Sequence, residues 1–563
     1  PSGSSSTSSS SPKYAISLRN AYPAIDANYA WPNIVEPSVD TALSIGLTHD
    51  HEELCVWSIE YAGAPGAVQR DGCADFSFQF TDCPRLYSIR VTVGEDQVAT
   101  TAMCKYVRRE IRTLTDEDRT RYFAALEVVH RTDLSSGKAV YGNEFRNYEY
   151  FTTKHLNANQ INDCFPFVGP FHGSNAFLTS HASFTLELEQ SLQSIDPSLT
   201  QPYWDFSFDA DFYGAEWWKQ SDIVGYDFFG PLESGGPSHT INASRWFNFI
   251  PVATTLSSSK TEVYNAFGKL TNQFNADGSD FVNRGGSSIC GAKTADFAPL
   301  PSRLAVDACQ ALVPQGVTAW RQCLETSVHA YVHAQVGGAW ECPVDIGSWA
   351  DGVSTANAGG GSTAPDALAA ERASFLALNA VNVWKVALSA GLLACPAEEC
   401  PAEATFLECR CQCWDAAGDA ERESLTASEV YGLLSESRVL EFLMEPMGGK
   451  RFLSNSGGDG KISFKGLSRM DNNAALRLLL DLACSPAKVG PMATDAASND
   501  PFFWALHLQY DRLWHQGRLA GELGVEGWGY DSKACPGANA NDTMPFSMYK
   551  PDSDDGGDDG GGS

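Results

Sequence analysis

The stretch FHGSNAFLTSHASFTLELEQSL, residues 171–192, decides how the middle of this chain is read. His172 and His181 stand nine apart across Phe177, a spacing that suits a loop running into a helix, with the second histidine on the helix. Phe177 precedes His181 by four, so its ring can pack one turn below that imidazole. The same offset returns in NDPFFWALHLQYDRLW, residues 499–514, where Phe503 precedes His507 by four. A third stretch, LETSVHAYVHAQVGG at 324–338, sets His329 and His333 four apart, on one helix face and one turn from each other.

With His155, these positions make two separated triplets, His155/His172/His181 and His329/His333/His507, from a chain with 11 histidines. Taken singly, a helical histidine pair is more often a core or surface feature than a ligand set; the repeated frames reverse that. Neutral imidazole suits copper in both oxidation states, and three nitrogens per ion leave coordination positions open. His49, His51, His130, His239 and His515 stand in no such frame and are read as structural or surface residues.

Together with QPYWDF at 201–206, these strings resemble the type 3 copper proteins: tyrosinases, catechol oxidases and the oxygen-carrying hemocyanins. The resemblance covers residues 105–345 and 495–520. It implies a mainly α fold, a four-helix-bundle dicopper core with long loops in which two helix pairs present six histidines to two copper ions. It further implies oxidation of o-diphenols to o-quinones with dioxygen, with hydroxylation of monophenols such as tyrosine as a further activity. The substrate would be a small phenol or protein-bound tyrosine or DOPA, the latter making extracellular matrix a partner. The competing readings are a hemocyanin-like dioxygen binder and an extracellular structural or matrix protein whose dicopper site is covered or vestigial.

Glu189 and Asp511 match acidic positions of the family, which implies helix-tying roles, with Asp511 paired to Arg512. Three positions depart from the family: Ala182 where Arg is frequent, Ala330 where Asn is frequent, and Leu506-His507 where a His-His pair is common. The family Asn at the Ala330 position works with a Glu four before the ligand, here Glu325, to hold a proton-accepting water. With the Asn gone, the expected catalytic residues are Glu325 as a weakened base and His333 as the ring on which substrate stacks, so catechol oxidation is favoured over phenol hydroxylation. Cys164, eight before His172, is open to three fates: a thioether to His172, a disulfide or a free thiol.

Outside the histidine frames the period of the sequence changes along the chain. Trp57/Ile59/Tyr61, Phe76/Phe78/Phe80 and Tyr87/Ile89/Val91/Val93 alternate with period two, which predicts a small β-sandwich-like domain over 14–104, stapled by Cys55, Cys73, Cys83 and Cys104. Thr115 followed by Asp116, Glu117 and Asp118 reads as a helix N-cap with an acidic first turn, continued by Tyr122, Leu126 and Val129. Residues 1–13 form a Ser-rich linker. The copper domain is split into 105–345 and 495–535 by a Cys-rich insertion over 346–494, and 536–563 is a C-terminal segment with an acidic, Gly-rich tail. His333 and His507 are separated by 173 residues, far more than the family usually has there. The insertion carries CPAEEC (395–400) and CRCQC (409–413), read as disulfide-forming rather than metal-binding. It also carries a worn EF-hand-like stretch around Asn455, Asp459, Gly460 and Ile462, with Gly466 where the bidentate Glu belongs.

A formal charge of −30 excludes duplex nucleic acid and anionic membrane surfaces as natural partners, leaving neutral or cationic substrates. No run is apolar for long enough to span a bilayer. Sixteen cysteines and the sequons at Asn242 and Asn541 predict a secreted, disulfide-bonded glycoprotein, and the start at Pro1 is read as a leader already removed.

Overall fold

A computed structural model describes residues 14–23, 30–46, 55–64, 66–158, 171–232, 239–241, 244–246, 264–265, 268–269, 281–285, 288–293, 300–348, 365–394, 410–414, 419–444, 452–455, 461–465, 469–521, 523, 538–539 and 542. Cys164, Asn242, Asn541, the CPAEEC stretch, Cys409, Asp459, Gly460 and Gly466 lie outside the described residues. The chain divides into two compact units: Pro1–Arg109, Thr113–Ala125 and Leu192–Gln201 form the first, and Glu110–Arg112, Leu126–Ser191 and Pro202–Ser563 the second.

Among the described residues the first unit has eight strands: β1 (Ser17–Arg19), β2 (Ile34–Val35), β3 (Asp40–Ser44), β4 (Cys55–Tyr61), β5 (Val68–Asp71), β6 (Phe76–Gln79), β7 (Leu86–Val93) and β8 (Asp96–Cys104); the period-two segments form three of them, β4, β6 and β7. They form a five-stranded sheet of order β2-β8-β7-β4-β5 and a three-stranded sheet of order β1-β3-β6. Alternation sends Tyr87, Ile89, Val91 and Val93 inward from β7, and Trp57 and Ile59 inward from β4, onto Leu43, Phe76 and Phe80 of the other sheet. Burying each such side chain contributes roughly 1.5–3 kcal/mol. Disulfides Cys55–Cys73 and Cys83–Cys104 staple the unit as the cysteine spacing predicts. Each closes a short loop and adds on the order of 3 kcal/mol by restricting the unfolded chain.

Among the described residues the rest of the chain is mainly helical, with a few short strands: α1 (Asp116–Arg131), α2 (Leu134–Tyr141), α3 (Tyr148–Ala158), α4 (Ala176–Ile195), α5 (Phe206–Tyr213), α6 (Trp217–Gln220), α7 (Arg303–Gln310), α8 (Val317–Leu324), α9 (Ala330–Gly337), α10 (Pro365–Ser389), α11 (Asp419–Ser424), α12 (Ala427–Glu436), α13 (Val439–Leu443), α14 (Arg469–Ala483) and α15 (Phe502–Leu519). Thr115 caps α1 as expected, its hydroxyl accepting from the Asp118 amide at 3.1 Å. Between α8 and α9 the backbone widens into a π turn, Glu325–His329, in which the Ala330 N–H donates to the Glu325 carbonyl five residues back. Single π turns of this kind are commonly found at functional sites. Aromatic residues bring α3, α4 and α15 together: Phe151 and Phe184 lie 5.2 and 5.0 Å from Trp504 and 5.6 Å from each other.

The insertion leaves and rejoins this bundle at neighbouring points. Ala339 and Trp340, just past α9, pair antiparallel with Val489 and Lys488. Everything between is therefore an excursion whose ends are pinned together, which explains how a long insertion spares the bundle. Glycines let the backbones cross there: a Cβ on Gly285 would stand 2.3 Å from the Gly338 Cα, and one on Gly490 would stand 2.6 Å from the Gly337 carbonyl oxygen. The insertion's Leu376, Trp384, Leu434, Leu440, Leu479 and Leu480 share one core with Ala334 of α9.

Cys413 pairs with Cys484, and Cys411 is also disulfide-bonded, so both of these described cysteines of the cluster are bridged rather than free. The EF-hand-like stretch is flanked not by helices but by two short antiparallel strands, with Leu453 opposite Phe464 and Asn455 opposite Ile462. An EF-hand needs a helix entering its loop, and a strand stands there instead.

Candidate metal centre

Each candidate ligand histidine is placed by its own local device. His155 projects from α3, His181 from the second turn of α4, and His172 from the loop leading into α4. His329 closes the π turn, His333 follows one turn later on α9, and His507 lies in the second turn of α15. Within each triplet, one ligand atom per residue lies within 4.8 Å of the others. The two triplets face each other. The rings of His181 and His507 stack at 4.2 Å with planes 15° apart, and His172 and His329 are 5.9 Å apart.

Backbone carbonyls orient the rings. A carbonyl only accepts, so a ring nitrogen at hydrogen-bond distance from one carries the proton and leaves its partner nitrogen bare. His181 Nδ1 donates to Phe177 O at 2.8 Å, His155 Nδ1 to Asp495 O at 2.7 Å, and His333 Nδ1 to Met492 O at 2.6 Å. This is how protein metal ligands are usually fixed in tautomer and direction. His333 Nε2 and His329 Nε2 stand 3.1 and 3.3 Å from His507 Nε2. Bonds of about 2.0 Å to one ion at near-tetrahedral angles put ligand nitrogens about 3.3 Å apart, so the second triplet fits a metal directly. His181 Nε2 is buried with no hydrogen-bond partner, an atom that burial penalises unless an ion accepts its lone pair. Burial also pushes His155 and His333 down to about 4 and holds His172, His181, His329 and His507 well below the ordinary imidazole value. All six are neutral at pH 7, the form that binds a metal.

The two phenylalanines do more than the sequence offset implies. Phe177 lies 4.8 Å from His181, one turn on, and 5.0 Å from His329 of the opposite triplet. Phe503 lies 4.0 Å from His507 and 5.3 Å from His155 of the opposite triplet. Each aromatic therefore braces both halves. His172 and His333, one from each triplet, are the ligands left half-buried, and the other four are buried.

Glu325 is buried and fully engaged: its Oε1 accepts from the Gly173 amide at 2.7 Å, and its Oε2 pairs with Arg321, one turn earlier on α8. The carboxylate thus ties the backbone just after His172 to the helix leading to His329. The expected Asp511–Arg512 pair is not what forms. Asp511 lies 3.1 Å from His515, while Arg512 reaches Gln509 at 3.5 Å and stacks over Tyr203 at 4.8 Å. Adjacent residues on a helix point about 100° apart, so Arg512 meets different neighbours from Asp511. Glu189 is buried. Of the remaining histidines, His130 stacks on Tyr148 and His239 on Trp340.

Sequence reasoning missed the π turn, the Met492 and Asp495 carbonyls, and Arg284. The Arg284 guanidinium grips Asp500 through two bonds of 2.8 Å, and Asp500 accepts from the Phe502 amide at 3.0 Å, fixing the start of the helix that carries His507.

Two facing clusters of three imidazoles could each hold a metal ion. Residues 145–358 match the common central domain of tyrosinase. That segment holds five of the six histidines, and His507 lies beyond it. The chain is 28% identical over 243 residues to a tyrosinase of Streptomyces antibioticus, covering 41% of this chain and 72% of that protein. It is 35% identical over 111 residues to a tyrosinase of Streptomyces glaucescens, covering 20% of this chain and 35% of that protein. Over 106 residues it is 28% identical to the grixazone synthase of Streptomyces griseus, covering 18% of this chain and 30% of that protein. Through this domain the chain is similar to the tyrosinases, which are type 3 copper proteins.

Proposed function

We propose that the protein oxidises o-diphenols to o-quinones, two molecules per dioxygen, with reduction of the oxygen to water. The observation that carries this reading is the pair of facing triplets whose ring nitrogens converge bare and neutral. In it His155, His172 and His181 hold one copper ion and His329, His333 and His507 the other. Copper bound there would supply the electron exchange between diphenol and dioxygen. The chain supplies the rest. Phe177 and Phe503 keep water from the buried rings, and the half-buried His333 offers the face against which a phenol ring docks.

The favoured substrate class follows from Glu325. With one oxygen bonded by the Gly173 amide and the other by Arg321, this carboxylate is poorly placed to take a proton from a monophenol. A diphenol gives up its proton more readily, so diphenol oxidation is the main activity and monophenol hydroxylation the lesser one. Secretion fits the same reading, since the paired cysteines of both units persist only in an oxidising compartment. The test loads the full chain with copper and follows oxygen uptake and quinone formation with 4-methylcatechol and with tyramine. Rapid turnover of the catechol and slow turnover of tyramine is the expected result. Equal turnover of both overturns the preference, and no turnover of either points to an oxygen carrier or a covered site.

A further inference from the structure

We infer that Lys385 and Asp495 are positioning residues of the metal centre, through which the insertion orients one histidine of each triplet. The inference rests on the dicopper reading above.

The five residues Pro491–Asp495 lie where the insertion rejoins the bundle, ahead of the helix that carries His507. From them come two long-range carbonyls that orient histidine rings: Met492 O for His333 and Asp495 O for His155, at 2.6 and 2.7 Å. One short stretch therefore sets the direction of a ring in each half of the site. Its backbone is held by its own turn, with the Ala493 amide on Gly490 O and the Thr494 amide on Pro491 O, both at 2.9 Å. The turn also lies against α9, the Gly490 amide donating to Gly337 O at 3.2 Å. The one charged side chain in the stretch ties it to the insertion as well: Asp495 Oδ1 meets Lys385 Nζ at 2.7 Å.

Lys385 is well placed as an anchor. It sits on α10 between Trp384 and Val386, both fully buried, and the Trp384 indole N–H donates to Leu482 O at 2.6 Å. The lysine thus projects from a helix whose position is settled by the insertion's core. The ion pair itself keeps about a fifth of each side chain exposed, and pairs this wet add little to global stability. Its effect falls on ring direction, where a carbonyl moved by a fraction of an ångström no longer holds an imidazole. Loss of a group that orients a metal ligand typically costs about 10- to 100-fold in metal affinity. The insertion is then a working part of the centre rather than an appendage.

The test uses the full chain and the variants Lys385→Met, Lys385→Arg, Asp495→Asn and the Lys385→Met/Asp495→Asn double. Two quantities are read: the rate at which bathocuproine disulfonate with ascorbate strips bound copper, and the melting temperature of the metal-free protein. Lys385→Met is expected to lose copper about tenfold faster, with metal-free melting within about 2 °C of the parent. Lys385→Arg should restore retention to within about twofold, because it keeps the charge. The double variant should be no worse than either single, as for two members of one pair. Retention unchanged in Lys385→Met overturns the inference while leaving the dicopper reading intact. A fall in melting that matches the loss of copper, without rescue by Arg, makes the pair a plain structural prop and also overturns it. If the parent chain itself takes up no copper, the dicopper reading fails first and the inference falls with it.

Discussion

The two histidine triplets differ in how far they spread along the sequence and are oriented alike, each with one ring directed by a distant carbonyl. The first is compact in sequence, within 155–181, yet one of its rings is fixed by a carbonyl from Asp495, far along the chain. The second spans 329–507, and its His333 is fixed by the Met492 carbonyl, likewise far along the chain. Closeness in sequence therefore says little about what holds a ligand. Each half borrows its orientation from wherever a backbone acceptor is available, and the two are welded by Phe177 and Phe503, each touching both sides.

That comparison can be broken by acid, where the largest effect is expected. An unfolded imidazole titrates at 6.5, whereas burial takes His155 of the first triplet and His333 of the second down to about 4. Between these values the unfolded chain binds more protons than the folded one, so stability is complete above about pH 6.5 and is lost as pH falls toward 4. Thermal melts of the metal-free protein across this window should show both halves failing in one transition. Two transitions would show that the triplets are not welded.

Arg284→Met should come next. It strands Asp500 in a site where both side chains are essentially fully buried, at a cost of about 3–5 kcal/mol. Because Asp500 fixes the start of α15, copper at the second triplet should be lost before copper at the first, as metal analysis during chelation would report. Glu325→Gln should cost about 2–3 kcal/mol by leaving Arg321 without its counter-charge. It should reverse the order of loss, since Glu325 holds the loop behind His172; chelation in the same format checks it. Phe503→Leu is the mildest change, about 1 kcal/mol in denaturant unfolding, and should speed copper loss from both triplets equally.

How much of this was legible beforehand depends on whether a feature lives in side chains or in backbone. The β-rich unit could be read because Tyr87, Ile89, Val91 and Val93 must share a face when the period is two. The six histidines could be read because His329 and His333 lie four apart and because the Phe177–His181 offset returns at Phe503–His507. The π turn over Glu325–His329 could not, since a turn widened by one residue has no composition of its own. Nor could Met492 and Asp495 be singled out, because every residue carries a carbonyl and only the fold shows which ones face an imidazole. Glu325 was identifiable as a residue of the site, but its engagement by Arg321 and the Gly173 amide depends on packing between segments far apart in sequence.

The most direct test of the central claim is copper stoichiometry. Metal analysis of the full chain after loading and desalting, beside His181→Ala and His507→Ala, should give two coppers per chain in the parent and about one in each variant. Two coppers retained in either variant, or none in the parent, would contradict the assignment of one ion to each triplet.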